Sequence, residues 1–480
     1  MLLINMSSFV DKRSEEINKN IVSPAKDTDK GLKNILDEIK RFSKKGKEHI
    51  LISNYQIKYG KNMKTNINIP YVKNNIIRDL LIINHPEDAE RLTNKHIKKH
   101  PILEQLLYNS IISTTDVIDW KNQRKVFNQA FSFNTELKKL IPISVKRSEL
   151  CVKLLWEHSN EGTNEININD FFLNETMAQL QLAMFGFSNE FQEKTNNRIR
   201  NTFSGNEPDY AKEYFYDFLE ELKDGSGPLT ESFNSRIPKD KKELYGNSII
   251  FSFAGHDTTG NTLSWLVLEL SKNPDLHYTL QTEIDLFWRM QKDNPICYDD
   301  FKKLPFMTRC INETLRLWSP IPNGTYRELI EDDYIIGIND EKVFVPKGTY
   351  IQIPNWSRHR NPLLWGNDAH IFNPYREFKD DEIWNNSVIN SYNPSSERFS
   401  PFTYGPRDCI GKNFSQIEMR IILLHLMKYY TFSLTEKQMN TYNQDDLGLN
   451  KFTLGPRDIY DYNKNGLYVK VTKRLFNSSL

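Results

Sequence analysis

The sequence predicts a mainly α-helical protein with small β-sheets near both ends of the chain. Helical patterns dominate from about residue 116 to 318 and include one long apolar pattern from about Lys241 to Leu270. Short stretches rich in β-branched and aliphatic residues occur at about 49–84 and 325–356, and the tail after 430 again alternates like strands. Helices should therefore build most of the fold, with the sheets at its periphery.

The chain is expected to form one large domain behind a short leader. Residues 1–30 are polar and charged, and predict a weakly ordered leader, while 31–480 should form the single domain. Within that domain, 49–84 and 325–356 should build a β-rich lobe and the other residues a helical lobe. The polar span 380–400 is interpreted as an exposed insertion.

Composition argues against several classes of function. The net charge is +1, from 63 basic and 62 acidic residues without a block of one sign, and this does not indicate nucleic-acid binding. Four scattered cysteines without a Cys-x-x-Cys pair argue against a disulfide framework or a zinc site. Since no apolar run approaches the ~18 residues of a transmembrane helix, no such anchor is expected. The sequence predicts a cytoplasmic protein and leaves peripheral membrane association open.

One cysteine lies in a loop that favours metal binding, Phe402-Thr-Tyr-Gly-Pro-Arg-Asp-Cys-Ile-Gly411. Gly405 and Gly411 bracket Cys409 and permit positive φ and close backbone approach. Arg407 precedes the cysteine by two residues, and a helical pattern follows; cations and helix N-termini favour the thiolate, which is the metal-binding form. Phe402 should shield the sulfur from water. An isolated cysteine would more often be a buried structural residue, so the interpretation depends on the whole pattern.

A second pattern lies inside the long predicted helix, Phe253-Ala-Gly-His-Asp-Thr-Thr259. Glycine within a helix costs up to ~1 kcal/mol relative to alanine, so Gly255 requires an explanation. Threonines can donate to a carbonyl one turn back and bend the helix, which would open a groove for a diatomic ligand and water. Asp257 and Thr258 would supply a carboxylate and a hydroxyl for proton delivery in that groove. The alternative is a locally satisfied polar patch.

Together the two patterns resemble the cytochrome P450 family, in its cysteine loop and its central-helix signature. The resemblance implies a P450-type helical prism that binds haem b (iron protoporphyrin IX), with Cys409 as the axial ligand of the iron. A thiolate ligand favours cleavage of the O–O bond. The resemblance also implies that Asp257 and Thr258 are catalytic, and that Phe402 and Gly411 contribute to haem binding.

Further motifs extend the likeness to haem-propionate binding. Trp120-Lys-Asn-Gln-Arg124 resembles a family helix motif, and its indole and guanidinium are hydrogen-bond donors suited to a carboxylate. By resemblance, Arg327 and Arg407 are further propionate-binding residues. His359 is a weaker candidate for the same surface.

A third set resembles the buried Glu–Arg–Arg triad of the family. Glu313 and Arg316 are three residues apart on a predicted helix, so their side chains share one face. Arg376 lies in a segment that resembles the family's Pro-x-Arg element. The triad should be structural and should stabilise the core behind the cysteine loop.

The resemblance implies an oxidoreductase, a monooxygenase that inserts one atom of O2 into a small apolar substrate. Electrons would come from a separate reductase or ferredoxin. One alternative is a haem-thiolate isomerase or dehydratase of peroxides, which the presence of both Asp257 and Thr258 disfavours. Another is a non-catalytic haem- or lipid-binding protein, because the region 187–253 is short for the roof of a substrate pocket. Pocket residues are expected at 101–119, 205–210, 320–326 and 449–455.

Overall fold

The computed structural model describes residues 31–59, 66–73, 76–131, 136–203, 211–384, 398–403, 405–441, 447–451 and 453–474, with Ile21, Ser23 and Ser396. Apart from Ile21 and Ser23, the predicted leader lies outside the described residues. The pocket segment predicted at 205–210, which is part of the predicted roof region 187–253, also lies outside them.

Helices form most of the described chain. In chain order they are α1 Gly31–Lys44, α2 Glu48–Tyr59, α3 Pro86–Lys95, α4 Glu104–Leu107, α5 Val117–Phe127, α6 Lys138–His158, α7 Ile168–Gln179, α8 Asn189–Phe203, α9 Ala211–Asp224, α10 Pro228–Asn234, α11 Lys241–Lys272, α12 Pro274–Gln291, α13 Pro305–Leu317, α14 Asn355–His359, α15 Pro362–Trp365, α16 Lys412–Tyr429 and α17 Glu436–Asn440. One turn of π-helix, Leu180–Phe185, continues α7.

The strands form small, separate sheets. They are β1 Ile67–Lys73, β2 Ile76–Ile82, β3 Ile166–Asn167, β4 Thr325–Glu328, β5 Asp333–Ile336, β6 Lys342–Val345, β7 Tyr350–Ile353, β8 Tyr430–Leu434, β9 Gly448–Asn450, β10 Leu454–Pro456 and β11 Tyr468–Lys473. A four-stranded sheet has the order β1-β2-β7-β4, in which only β2 and β7 are parallel. The predicted mixture of helices with small sheets is therefore confirmed.

Helix α11 is the central element of the helical core. The Asp240 side chain caps its first turn by accepting from the Glu243 N–H at 2.8 Å. From Thr259 to Leu270 every residue is buried, because α7, α13, α16 and the β8 and β10 strands pack around it. An apolar helix surrounded in this way is a core helix rather than a surface one.

One sequence-based expectation for the fold was wrong, and a second does not hold for most of the residues of its span that the structure describes. The stretch around Ile50-Leu-Ile was expected to be a strand, but Glu48–Tyr59 is helix α2, whose buried residues Leu51, Ile52, Tyr55 and Gln56 repeat at helical spacing. The span 380–400 was expected to be exposed, but within its described residues only Asp380 and Asp381 are exposed, whereas Glu382 and Trp384 are buried; residues 385–395 lie outside the described residues. Burial of the Glu382 carboxylate is possible because Arg398 pairs with it at 3.0 Å.

Candidate active site

A largely apolar cavity lies beside the central helix. Its volume, counted as the space that the centre of a water molecule can occupy, is about 230 Å³. One part of its lining is apolar and includes Ile111, Ile112, Leu180, Ile250 and Phe251. The residues of the cysteine loop, Cys409 among them, form another part. The predicted segments 101–119 and 320–326 contribute lining residues, and 449–455 does not contribute any among the described residues.

The cysteine loop is held in a defined conformation by its own backbone. The Cys409 N–H donates to the Phe402 carbonyl at 2.9 Å, which closes the loop over the helix start. Gly405 has φ +60°, and a Cβ there would lie 2.3 Å from the Asn94 side-chain oxygen. Gly411 was expected to permit a positive φ, but its φ is −86°. A Cβ on Gly411 would lie 3.7 Å from the Phe131 ring and 4.0 Å from the Cys409 sulfur, which is ordinary van der Waals contact.

The Cys409 thiol is less acidic than an exposed thiol before any metal binds. Burial raises its pKa, and this effect outweighs the Gly411 N–H, Arg124 and Lys412, which lower it. A bound cation reverses this balance, because coordination requires the thiolate and releases the proton. The loop is thus suited to a metal-bound thiolate more than to a free one.

Three buried cations lie together beside the cavity, which Lys99 and Arg407 line and Arg327 does not. Lys99 lines the cavity and donates to Thr325 Oγ1 at 3.1 Å, and Arg327 donates to the same hydroxyl. Burial lowers the pKa of Lys99 well below its usual range, with a further contribution from Arg327 and Arg407. Burial and the neighbouring cations also lower the pKa of Arg327 to about 9 and that of Arg407 to about 10.

This cation cluster has unused hydrogen-bonding capacity. Arg327 Nε and Nη2 and Arg407 Nε and Nη1 are buried without a hydrogen-bond partner. Unpaired buried donors are costly, and mutual repulsion of the cations adds to the cost. An anionic group in the cavity would relieve both. Lys99 was missed from the sequence, where a single lysine outside any motif gives no signal.

Trp120 and Arg124 take different positions on α5. Trp120 is buried, lines the cavity and has the Arg407 guanidinium 4.6 Å from its ring centroid. Arg124 also lines the cavity, but its guanidinium donates to the Asp408 carbonyl and carboxylate, both at 2.7 Å. In the structure Arg124 therefore anchors the cysteine loop to α5.

The central helix presents its small residues to the cavity. Ala254, Gly255, Thr258 and Thr259 all line it. The Thr258 hydroxyl donates to the Ala254 carbonyl at 2.8 Å, the backward bond expected from the sequence. The helix remains continuous through this turn. Gly255 has a packing reason, because a Cβ would lie 2.7 Å from a methyl group of Leu180.

Asp257 does not line the cavity in the structure. Its carboxylate accepts a hydrogen bond from the hydroxyl of Thr453, which lies just before β10. That hydroxyl in turn accepts from the Asn261 amide at 2.7 Å. The acid and Thr258 are thus adjacent in sequence but have different surroundings, and Thr453 is a residue that sequence reasoning missed.

The three residues of the expected triad are brought together in the core. Arg316 donates to both oxygens of Glu313 at 2.7 Å, and Arg376 Nε donates to Glu313 Oε1 at 3.1 Å. All three side chains are buried. His359 lies near this group and not at the cavity, with its Nε2 accepting from the Ser400 N–H at 2.9 Å.

Comparison with known proteins shows the family of the chain. The family model described as Cytochrome P450 matches residues 209–459, just over half of the chain. The chain belongs to the cytochrome P450 family. Its members bind haem b and are oxidoreductases, in general haem-thiolate monooxygenases.

Several cytochromes P450 are recognisably similar in sequence. A putative cytochrome P450 CYP13A6 of Caenorhabditis elegans is 31% identical over 255 residues, which cover 51% of this chain and 46% of that protein. Human cytochrome P450 4F8 is 26% identical over 400 residues, covering 71% of this chain and 72% of the relative. Dog cytochrome P450 3A12 is 27% identical over 370 residues, covering 67% and 70%. The chain thus spans about half the length of the nematode relative it matches.

The cavity of this P450 fits haem on its own chemistry. A thiol donor at one wall can bind iron, and the apolar lining suits a porphyrin ring. The unpaired donors of Arg327 and Arg407 suit carboxylates such as the haem propionates. Among the described residues, no helix has the length and apolar character needed to cross a bilayer.

Proposed function

We propose that this P450 is a haem-thiolate monooxygenase that inserts one atom of O2 into a small apolar substrate. The observation that carries the proposal is that Cys409, Lys99, Arg407 and Thr258 line the same cavity. When bound, haem supplies the redox chemistry that activates O2. In the proposal, Cys409 would bind the iron through its sulfur, and the haem would be held by Trp120, Arg124, Arg327, Phe402, Arg407 and Gly411.

The chain's own residues divide the remaining tasks. Arg407 and Arg327, with Lys99, pair with the propionates. Thr258 holds a proton at its hydroxyl within the cavity. Asp257 lies outside the cavity lining and accepts from the Thr453 hydroxyl, so its proposed part in proton delivery is from outside the cavity. Glu313, Arg316 and Arg376 keep the core beneath the loop rigid and have no chemical role.

The apolar wall supports an apolar substrate. Ile111, Ile112, Ile250 and Phe251 line the part of the cavity contributed by the 101–119 segment and α11. Among the described residues, the lining includes none between 187 and 249, so the expected roof does not contact this space. We infer from this that the substrate is small.

We also infer that electrons come from a separate reductase or ferredoxin. The protein is proposed to be cytoplasmic, with peripheral membrane association as the alternative.

The decisive experiment uses carbon monoxide on the reduced holoprotein. We expect the red-shifted Soret band of thiolate-ligated haem, and its loss in Cys409→Ser. Cys297→Ser is the matched control, because Cys297 is exposed and should not affect the band. A histidine-type band in the unsubstituted protein, or a thiolate-type band that persists in Cys409→Ser, would contradict the assignment.

The requirements for turnover then distinguish the proposed monooxygenase from a peroxide isomerase, which the comparisons do not favour. A monooxygenase requires both O2 and an electron donor, whereas an isomerase converts a hydroperoxide without either. Screening fatty acids, sterols and terpenes for a shift in haem spin state would identify the substrate to use.

A further inference from the structure

A stacked pair of tryptophans lies directly behind the candidate active site. Trp265 is on α11, three residues after Thr262. Trp318 follows α13 and lies between Leu315 and Pro320 in the sequence. Thr262, Leu315 and Pro320 all line the cavity. Both indoles are buried, their ring centroids are 4.0 Å apart, and their planes differ by 3°. Rings in parallel contact can share the loss of one electron.

The two indole N–H groups have different acceptors. Trp318 Nε1 donates to Glu269 Oε1 at 2.8 Å, and the other oxygen of this buried carboxylate lies 3.4 Å from the Lys272 ammonium. Trp265 Nε1 donates to the main-chain carbonyl of Leu454 at 2.9 Å. A carboxylate can take up a proton, and a peptide carbonyl cannot near neutral pH. A proton can therefore leave Trp318 but not Trp265.

A guanidinium lies against the rings next to this pair. The Arg360 guanidinium carbon is 4.7 Å from the Trp318 ring centroid and 3.6 Å from that of Trp356. The Trp318 and Trp356 centroids are 6.0 Å apart. A cation near a ring stabilises the electron-rich neutral ring, so it opposes formation of a radical cation. Loss of an electron from Trp318 is therefore favourable only when its Nε1 proton leaves as well. Because Arg360 is closer to the Trp356 ring than to the Trp318 ring, it also opposes oxidation of Trp356 by the Trp318 radical.

We propose that Trp318 and Glu269 form a proton-coupled oxidation site, which rests on the proposed haem-thiolate function. When peroxide oxidises the haem in the absence of substrate, Trp318 gives one electron to the haem. Its Nε1 proton passes to Glu269, leaving a neutral tryptophanyl radical beside a carboxylic acid. A thiol or ascorbate in solution returns the electron, and Glu269 returns the proton. One of the two oxidising equivalents of the peroxide thus ends on a repairable indole, and a second electron from the same thiol or ascorbate reduces the other at the haem.

The test follows the radical directly. Substrate-free holoprotein is mixed with hydrogen peroxide, freeze-quenched and measured by electron paramagnetic resonance, with and without ring-deuterated tryptophan. We expect a neutral tryptophanyl signal that narrows on deuteration and is lost in Trp318→Phe. Glu269→Gln should also lose the neutral signal, because the amide oxygen accepts the hydrogen bond but not the proton. In both variants the haem should bleach faster in peroxide.

Trp288→Phe is the matched control. Its indole donates to the Leu424 carbonyl at 3.0 Å and lies outside the pair, so this variant should keep the signal. A signal retained in Trp318→Phe, or lost in Trp288→Phe, overturns the proposal. Each sample is also reduced and treated with carbon monoxide. A thiolate-type band without a tryptophanyl signal in the unsubstituted protein overturns this inference alone, whereas absence of the band overturns the proposed function with it.

Discussion

Two hydroxyls on α11 make the same bond in different surroundings. Thr258 donates to the Ala254 carbonyl at 2.8 Å, and Ser248 donates to the Leu244 carbonyl at 2.9 Å. Thr258 lines the cavity and Ser248 does not. Because the effect on the helix is the same at both positions, comparing them separates a chemical role of the hydroxyl from a structural one.

Replacing Thr258 by Ala should leave haem bound while diverting electrons from product to hydrogen peroxide. Proton transfer by a positioned group contributes about 10²–10⁴-fold to a rate, so product formation should fall by up to that factor. The measurement is the ratio of product and peroxide to electrons consumed. Ser248→Ala should keep the ratio of the unsubstituted protein. Unchanged coupling in Thr258→Ala would show that the hydroxyl has no part in proton delivery.

At the scale of elements, two glycines set how closely α11 approaches its neighbours. A Cβ at Gly255 would meet the end of the Leu180 side chain, 2.7 Å from its nearest methyl. A Cβ at Gly260 would lie 3.1 Å from both the backbone N and the Cα of Leu173 on α7, and 2.9 Å from a Leu173 methyl. A side-chain end can rotate away, whereas a packed helix backbone cannot.

Gly260→Ala should therefore destabilise the protein more than Gly255→Ala does. Overpacking typically costs about 1–3 kcal/mol, while replacing a helical glycine by alanine returns up to ~1 kcal/mol. We expect the melting temperature of the holoprotein to fall in Gly260→Ala and to change little in Gly255→Ala. Comparing Gly255→Ala/Leu180→Ala with Leu180→Ala alone provides the control for the smaller clash, because the cost of truncating the buried leucine is then the same in both. Equal melting temperatures for the two single variants would refute this account of the helix contact.

Local patterns made the main elements predictable from the sequence. The long apolar pattern predicted α11 nearly to its ends, and the positions of the glycines and Cys409 predicted a loop before a helix. Helix α2 was missed because Ile50-Leu-Ile is a short apolar run, which fits a strand or a helix equally well. Its partner α14 lies about 300 residues later, and this packing decides between the two.

At the scale of the whole molecule, the sequence could not predict contacts between distant residues that belong to no motif. Thr453 binds Asp257 across 196 positions, and Lys99 joins Arg327 through Thr325. The Glu313–Arg316–Arg376 set was foreseeable only because each member stands in a pattern of its own. Arg124 was expected to face a propionate, and its bonds to Asp408 depend on how α5 packs on the loop.

Three buried histidines make the whole fold sensitive to acid. Burial is the largest cause in each case and lowers the pKa of His49 to about 3 and those of His277 and His425 to about 4. Nearby cations add to this, Arg360 and Lys47 at His49 and Arg474 at His277. The folded state thus holds all three imidazoles neutral down to these values, whereas an unfolded histidine takes up a proton at a pKa of about 6.5.

The sign of the pH dependence follows from proton uptake. As pH falls from about 6.5 towards 4, the unfolded state binds more protons than the folded state, so each histidine lowers the free energy of unfolding by up to about 1.4 kcal/mol per pH unit. We expect the melting temperature to fall between pH 7 and pH 5, and to fall less steeply in His277→Gln. His370→Gln, at an exposed position, should keep the original slope. If His277→Gln has the same slope as the unsubstituted protein, His277 is not a source of the acid sensitivity.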